Sequence, residues 1–191
     1  MDLRFSWRGW KTRLRDQRHE LKAVYGALRY GGVALDVGAN KGSYLYWLAR
    51  WSRGATVVAF EPQRALAQYL AASCQRLGLS HVRVENLALS DRAGVIDLFV
   101  PGGTDSPGAS LESSVAEKGE CRVERVQVDT LDAYLGSHAW QPVKVIKIDV
   151  EGHEMAVLRG AKAVISRDRP LLIIECERRH LTDGATVRDL I

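Results

Sequence analysis

Leu35-Asp36-Val37-Gly38-Ala39-Asn40-Lys41-Gly42 is the stretch whose reading decides the fold. An apolar run, Val33 to Val37, stops at a Gly-x-Asn-x-Gly turn, and a helical pattern from about Ser43 to Trp51 follows it. Strand, tight turn and helix in that order open a parallel α/β unit. Gly38 has no Cβ, and Asn40 tolerates positive φ better than most residues, so a ligand can approach the backbone. The helix behind the turn offers free N–H groups to an electron-rich ligand.

The same rhythm spreads outward from this turn. Ala55 to Phe60 reads as a second strand, Ala65 to Leu77 as a helix stopped by Gly78, and Val82 to Asn86 as a third strand. The alternation then breaks. Val95 to Val100 and Arg122 to Val128 read as strands with no helix between them, an antiparallel excursion joined by the Gly-, Ser- and Pro-rich stretch Pro101 to Gly119. It then resumes with a short helix at Thr130–Leu135, the buried strand Val143–Ile148, a helix over Glu154–Ile165 and a strand over Leu171–Cys176. Thr186–Ile191 begins another helix. The fold class is α/β, a mostly parallel sheet with helices on both faces.

Three ligand classes use a turn of this kind. A phosphate-cradling loop needs four residues between its glycines and then Gly-Lys-Ser/Thr, which is absent. A dinucleotide turn wants Gly-x-Gly-x-x-Gly, which Gly38 to Gly42 does not match. The Asp/Glu-x-Gly-x-x-x-Gly turn of S-adenosylmethionine enzymes does match. Asp36 ahead of the turn suits a cationic, amino-acid-bearing ligand and not a pyrophosphate. Phe60-Glu61-Pro62 closes the next strand, 23 positions beyond Gly38. An acidic residue there can accept hydrogen bonds from both ribose hydroxyls; the same carboxylate would also suit a helix N-cap. The third cluster is Val145-Ile146-Lys147-Ile148-Asp149-Val150-Glu151-Gly152-His153-Glu154. An apolar strand delivering that much charge at its carboxyl end is costly unless the charge is used or paired. The plainer reading is a helix start whose Glu151 and Glu154 favour the dipole.

These stretches, with Asn86-Leu87-Ala88-Leu89-Ser90-Asp91 and Asp129-Thr130-Leu131-Asp132, resemble the FkbM-type family of S-adenosylmethionine-dependent methyltransferases. They occur in that family's order across residues 30–180, and the Ile146–Glu154 stretch is the most specific. The resemblance implies a Rossmann-like class I methyltransferase with S-adenosylmethionine as cofactor. It implies O-methylation of a hydroxyl on a small molecule, sugar, glycan or natural product. It puts Asp36, Gly38, Asn40 and Gly42 at the methionine end, Glu61 and Pro62 at the ribose, Asn86 and Ala88 near the adenine, and Asp149 near the sulfonium. An alcohol is a poor nucleophile until its proton leaves, so a base is sought among His153, Asp149 and Glu151. His153 is favoured by a pKa near neutrality, and would equally serve to hold its loop. No spacing among Asp149, Glu151, Glu175 and Glu177 demands a metal, and none is expected.

Composition bounds the rest. The chain has 191 residues, 46% hydrophobic and 26% charged, which suits one globular domain and excludes disordered, collagenous and disulfide-scaffold classes. No apolar run approaches the roughly 20 residues that span a bilayer. Three cysteines without Cys-x-x-Cys, and no apolar segment behind the N-terminus, point to the cytoplasm. The net charge of +4 is uneven. Eight basic residues against three acidic ones make residues 1–30 +5, which leaves −1 for the other 161. We expect a basic N-terminal helical leader over 1–30 and the Rossmann-like domain over 31–191. Nucleic acid is not expected as a partner of a near-neutral domain. A class I sheet usually adds two strands beyond Leu171–Cys176. We expect those C-terminal strands to be missing: either the chain is truncated or the protein closes that edge otherwise, and an exposed edge would invite a homodimer. Two alternatives remain open: a nicotinamide-dependent oxidoreductase, and a non-catalytic Rossmann-like module that binds through its basic helix.

Overall fold

The computed structural model describes residue 5 and residues 18–52, 55–102, 108–114, 120–137 and 140–175. Its elements are α1 (Arg18–Leu28), β1 (Val33–Val37), α2 (Ser43–Trp51), β2 (Val57–Phe60), α3 (Arg64–Arg76), β3 (Val82–Glu85), β4 (Ala88–Leu89), β5 (Gly94–Pro101), β6 (Cys121–Asp129), α4 (Leu131–Gly136), β7 (Val143–Ile148), α5 (Glu154–Arg159), α6 (Lys162–Asp168) and β8 (Leu171–Ile174). The remainder of the expected leader, the expected helix at Thr186–Ile191 and Cys176 lie outside the described residues.

The main sheet has the order β3-β2-β1-β7-β8 and every pairing in it is parallel. A parallel sheet is covered on both faces, and side chains alternate between them. Ala34, Val57, Ala59 and Val145 enter one core with Leu21, Val24 and Leu28 of α1 and Leu45 and Leu48 of α2. Val33, Leu35, Val37, Val58, Phe60, Ile146 and Ile148 enter the other with Leu131, Val157 and Val164. The strand order reverses between β1 and β7, and ligands of open α/β sheets bind beyond the carboxyl ends at such a switch point.

The antiparallel excursion is present. β5 and β6 pair from Gly94↔Val128 to Pro101↔Cys121. They form a second sheet, β4-β6-β5, because the two residues of β4 run parallel to the end of β6. β4 has no signature of its own in the sequence; two residues are too few to show a period. The helix expected over Glu154–Ile165 divides instead into α5 and α6. A Cβ on Gly160 would lie 2.0 Å from the Ser90 carbonyl oxygen, so the chain comes against its neighbour there. The new helix start is capped from outside. Asp132 accepts the N–H groups of Ala163 and Val164, both at 2.9 Å, in the manner of an N-cap side chain. Thr130 caps α4 in turn by accepting from the Ala133 N–H at 3.1 Å. The Asp129-Thr130-Leu131-Asp132 stretch therefore ties two helices to the sheet.

Candidate active site

The Gly38 turn sits where β1 meets β7. Gly38 and Gly42 have φ of 78° and 80°, and Asn40 has 47°, the left-handed region in which a side chain with a branched Cβ is strained. A Cβ on Gly38 would stand 1.8 Å from the Asp149 carbonyl oxygen. Only glycine lets the turn nest against the loop after β7. The Gly38 and Ala39 N–H groups donate to the Phe60 carbonyl at 3.0 and 3.1 Å, and the Asp149 N–H donates to the Val37 carbonyl at 3.0 Å. The three strand ends are thus stitched together.

Glu61 is buried behind this turn. One carboxylate oxygen accepts the Asn40 N–H at 2.7 Å and the other accepts the Gln63 N–H at 2.9 Å. Each oxygen keeps a lone pair for a further donor. Burial pushes the Glu61 carboxyl up to about 7, although the Gln63 and Asn40 N–H groups pull it down. The Asn86 amide donates to the Glu61 and Pro62 carbonyls at 3.0 and 2.8 Å, which fixes the β2 exit.

Under the turn lies a buried ion cluster. Parallel register sets Lys147 of β7 beside Asp36 of β1. The Lys147 ammonium is 2.9 Å from Asp149 and 3.9 Å from Asp36. Asp36 is fully buried, and the Lys147 ammonium and the Leu45 N–H are the groups that favour its charged form. Burial pushes its carboxyl up to about 6; Lys147 opposes that shift and Asp149 adds to it. Burial alone would lower the Lys147 ammonium, but Asp36 and Asp149 outweigh it and hold the pKa above the ordinary lysine value.

A crevice opens over this floor. Its wall includes Gly38, Asn40, Glu61, Pro62, Ala88, Asp149 and Glu151 from the expected set. Asp36, Gly42, Asn86 and His153 are not on the wall. Asp36 lies beneath it, Gly42 starts α2, and Asn86 acts on the backbone of Glu61. Both ring nitrogens of His153 are engaged, Nε2 with Ser90 Oγ at 2.8 Å and Nδ1 with Glu112 Oε1 at 2.7 Å. Glu154 accepts the N–H of Gly152 at 3.0 Å and closes its own turn. The sequence points to the Pro101–Gly119 stretch without singling out Ala109, Ser110 and Leu111, which follow β5 and complete the wall. No periodicity marks them; a bridge between Phe99 and Ser110 helps bring them in.

The wall's charged side chains are Glu61, Asp149 and Glu151, with no lysine or arginine among the described residues that line it. The Methyltransferase FkbM domain matches residues 36–191, most of the chain and all of this crevice. The chain belongs to the FkbM methyltransferase family. It is 28% identical to the 31-O-demethyl-FK506 methyltransferase FkbM of Streptomyces tacrolimicus over 83% of this chain and 69% of that one. It is 27% identical to the 2-O-methyltransferase NoeI of Sinorhizobium fredii, over 80% of this chain and 66% of NoeI. It is also 27% identical to the AMB antimetabolite synthetase AmbE of Pseudomonas aeruginosa, over 81% of this chain but only 9% of AmbE. A solved methyltransferase FkbM from Methylobacillus flagellatus superposes with a TM-score of 0.52 at 23% identity. It aligns with 75% of this chain and 32% of its own, a likeness of fold.

The family's cofactor is S-adenosylmethionine, and this crevice fits it chemically. The ligand carries a sulfonium, an ammonium and one carboxylate; the wall carries three acidic side chains, and the buried Asp36, 3.9 Å from Lys147, lies beneath. A pyrophosphate would find no lysine or arginine among the described residues of the wall. Leu87, Leu89, Leu98 and Leu111 add an apolar side for a flat base. No group of three or more metal-ligating side chains stands together among the described residues. No helix among them is long and apolar enough to cross a membrane.

Proposed function

We propose that the chain is an S-adenosylmethionine-dependent O-methyltransferase acting on a hydroxyl of a small molecule, sugar or natural product. The observation that carries this reading is the crevice at the sheet's switch point, walled by Glu61, Asp149 and Glu151 with no lysine or arginine among the described residues that line it. The names of the two shorter relatives, both O-methyltransferases, support the hydroxyl acceptor.

When bound, S-adenosylmethionine supplies an electrophilic methyl group on a positively charged sulfur. Gly38 and Asn40 would hold its methionine end against the backbone turn, with the Asp36 charge below. Glu61 would use its remaining lone pairs for the ribose hydroxyls, and Pro62 and Ala88 would flank the sugar and base. Asp149 would bear on the sulfonium. The chain's work is to align the acceptor oxygen, exclude water and receive a proton. Asp149 and Glu151 line the crevice, whereas His153 would have to leave Ser90 or Glu112 to act as a base. Asp149 is already ion-paired with Lys147 at 2.9 Å, so we assign the proton to Glu151.

Calorimetry with S-adenosylhomocysteine, followed by transfer of labelled methyl to a panel of hydroxylated acceptors, tests the reading. Binding and label on oxygen are expected. No binding at millimolar ligand, or label delivered only to nitrogen or carbon, would overturn it.

A further inference from the structure

We propose that His153 is a positioning residue, a splint that holds Ala109–Glu112 as one wall of the crevice. The inference rests on the crevice being the cofactor site. Four hydrogen bonds carry it. His153 Nδ1 is 2.7 Å from Glu112 and its Nε2 is 2.8 Å from Ser90, so one ring joins the β5 excursion to the end of β4. Ser110, also buried, donates to the Glu151 carbonyl at 2.7 Å. The same hydroxyl accepts the Glu112 N–H at 3.1 Å.

Proton counting fits a splint. A neutral imidazole has one N–H and one lone pair. With the proton on Nδ1, the ring donates to the Glu112 carboxylate and accepts from the Ser90 hydroxyl. With both nitrogens protonated it donates twice, and Ser90 can turn toward Asp91, 3.4 Å away. Neither state leaves a free nitrogen for an acceptor. The ring is held between two partners and stands off the wall, while the residues it secures, Ala109 to Leu111, stand on it. Ser110 and Glu112 are then positioning residues too, acting through backbone placement.

Glu112 is the residue to change, because its side chain is about half exposed and its loss leaves no hole. In Glu112→Ala the ring loses its anchor. Amide exchange of residues 109–112 in the free protein should quicken by about tenfold or more, the equivalent of one charge-assisted hydrogen bond. Affinity for S-adenosylhomocysteine should fall by a similar factor. Glu112→Gln keeps an oxygen that accepts from Nδ1–H and should restore much of both. Wild-type exchange and wild-type affinity in Glu112→Ala would overturn the proposal. So would a His153→Gln variant with unchanged exchange and affinity but transfer slowed by about 100-fold or more, the mark of a base. Failure of the wild type to bind S-adenosylhomocysteine would count against the proposed function alone, since exchange in the free protein still decides the splint.

Discussion

Asp36→Asn tests the buried charge under the Gly38 turn. The Asp36 carboxyl moves from its ordinary 3.8 to about 6 in the fold, chiefly through burial. Below pH 3.8 folded and unfolded chains both hold the proton, and the group costs nothing. Between 3.8 and about 6 the unfolded chain has released it while the folded chain keeps it, so stability falls as pH rises. Above about 6 the loss is complete, and two pKa units correspond to about 3 kcal/mol. Asparagine removes the charge at nearly constant shape. It leaves an amide without partners and takes one of two carboxylates from Lys147, which returns about 1–3 kcal/mol of that gain. The expected variant is therefore as stable as the wild type at pH 7 or more stable, with a shallower decline between pH 4 and 6. Its affinity for cationic S-adenosylmethionine should drop. Urea unfolding at half-unit pH steps reads the first part and calorimetry the second. A variant that loses more than about 1 kcal/mol at pH 7 and keeps the wild-type slope would refute the reasoning.

Three further outcomes follow from the same geometry. Glu61→Gln should flatten the decline in stability between pH 4.5 and about 7, since the folded value lies above the ordinary one. It should also weaken S-adenosylhomocysteine by roughly 10- to 100-fold in calorimetry, the range for a hydrogen bond to a charged group. Lys147→Met strips the counter-ion from two carboxylates and should cost about 3–5 kcal/mol in urea unfolding; adding Asp36→Asn should recover part of it. Gly160→Ala places a methyl against the Ser90 carbonyl, backbone against backbone, and should lower stability by about 1–3 kcal/mol in thermal melts.

Much of the fold is legible in the chain. Val33–Val37 and Val143–Ile148 are apolar at every position but those that carry the charges, and such runs are strands buried on both faces. The Gly38 turn and the acidic residue after β2 are likewise readable, because positive φ and close backbone approach leave glycine and asparagine as signatures. The break at Gly160 is not readable. The contacts made there, with the Ser90 carbonyl and the Asp132 N–H, come from distant parts of the chain, and residues 154–165 keep helical periodicity through it. The wall at Ala109–Leu111 is hidden for a similar reason: a loop joins a site by long-range pairing, which leaves no local pattern.

The sequence by itself determined which residues could carry the chemistry, since carboxylates, glycines and a histidine at strand ends are there for a reason of charge or space. Only the tertiary structure decided what each does. Register put Lys147 beside Asp36 and made a fully buried acid tolerable. Packing moved Asp36 under the floor and left Asp149 and Glu151 on the wall. Hydrogen bonds to Ser90 and Glu112 used both nitrogens of His153, a residue whose type alone suggests a base. Side-chain chemistry is local and written in the chain, but a group's partners depend on which strands lie side by side.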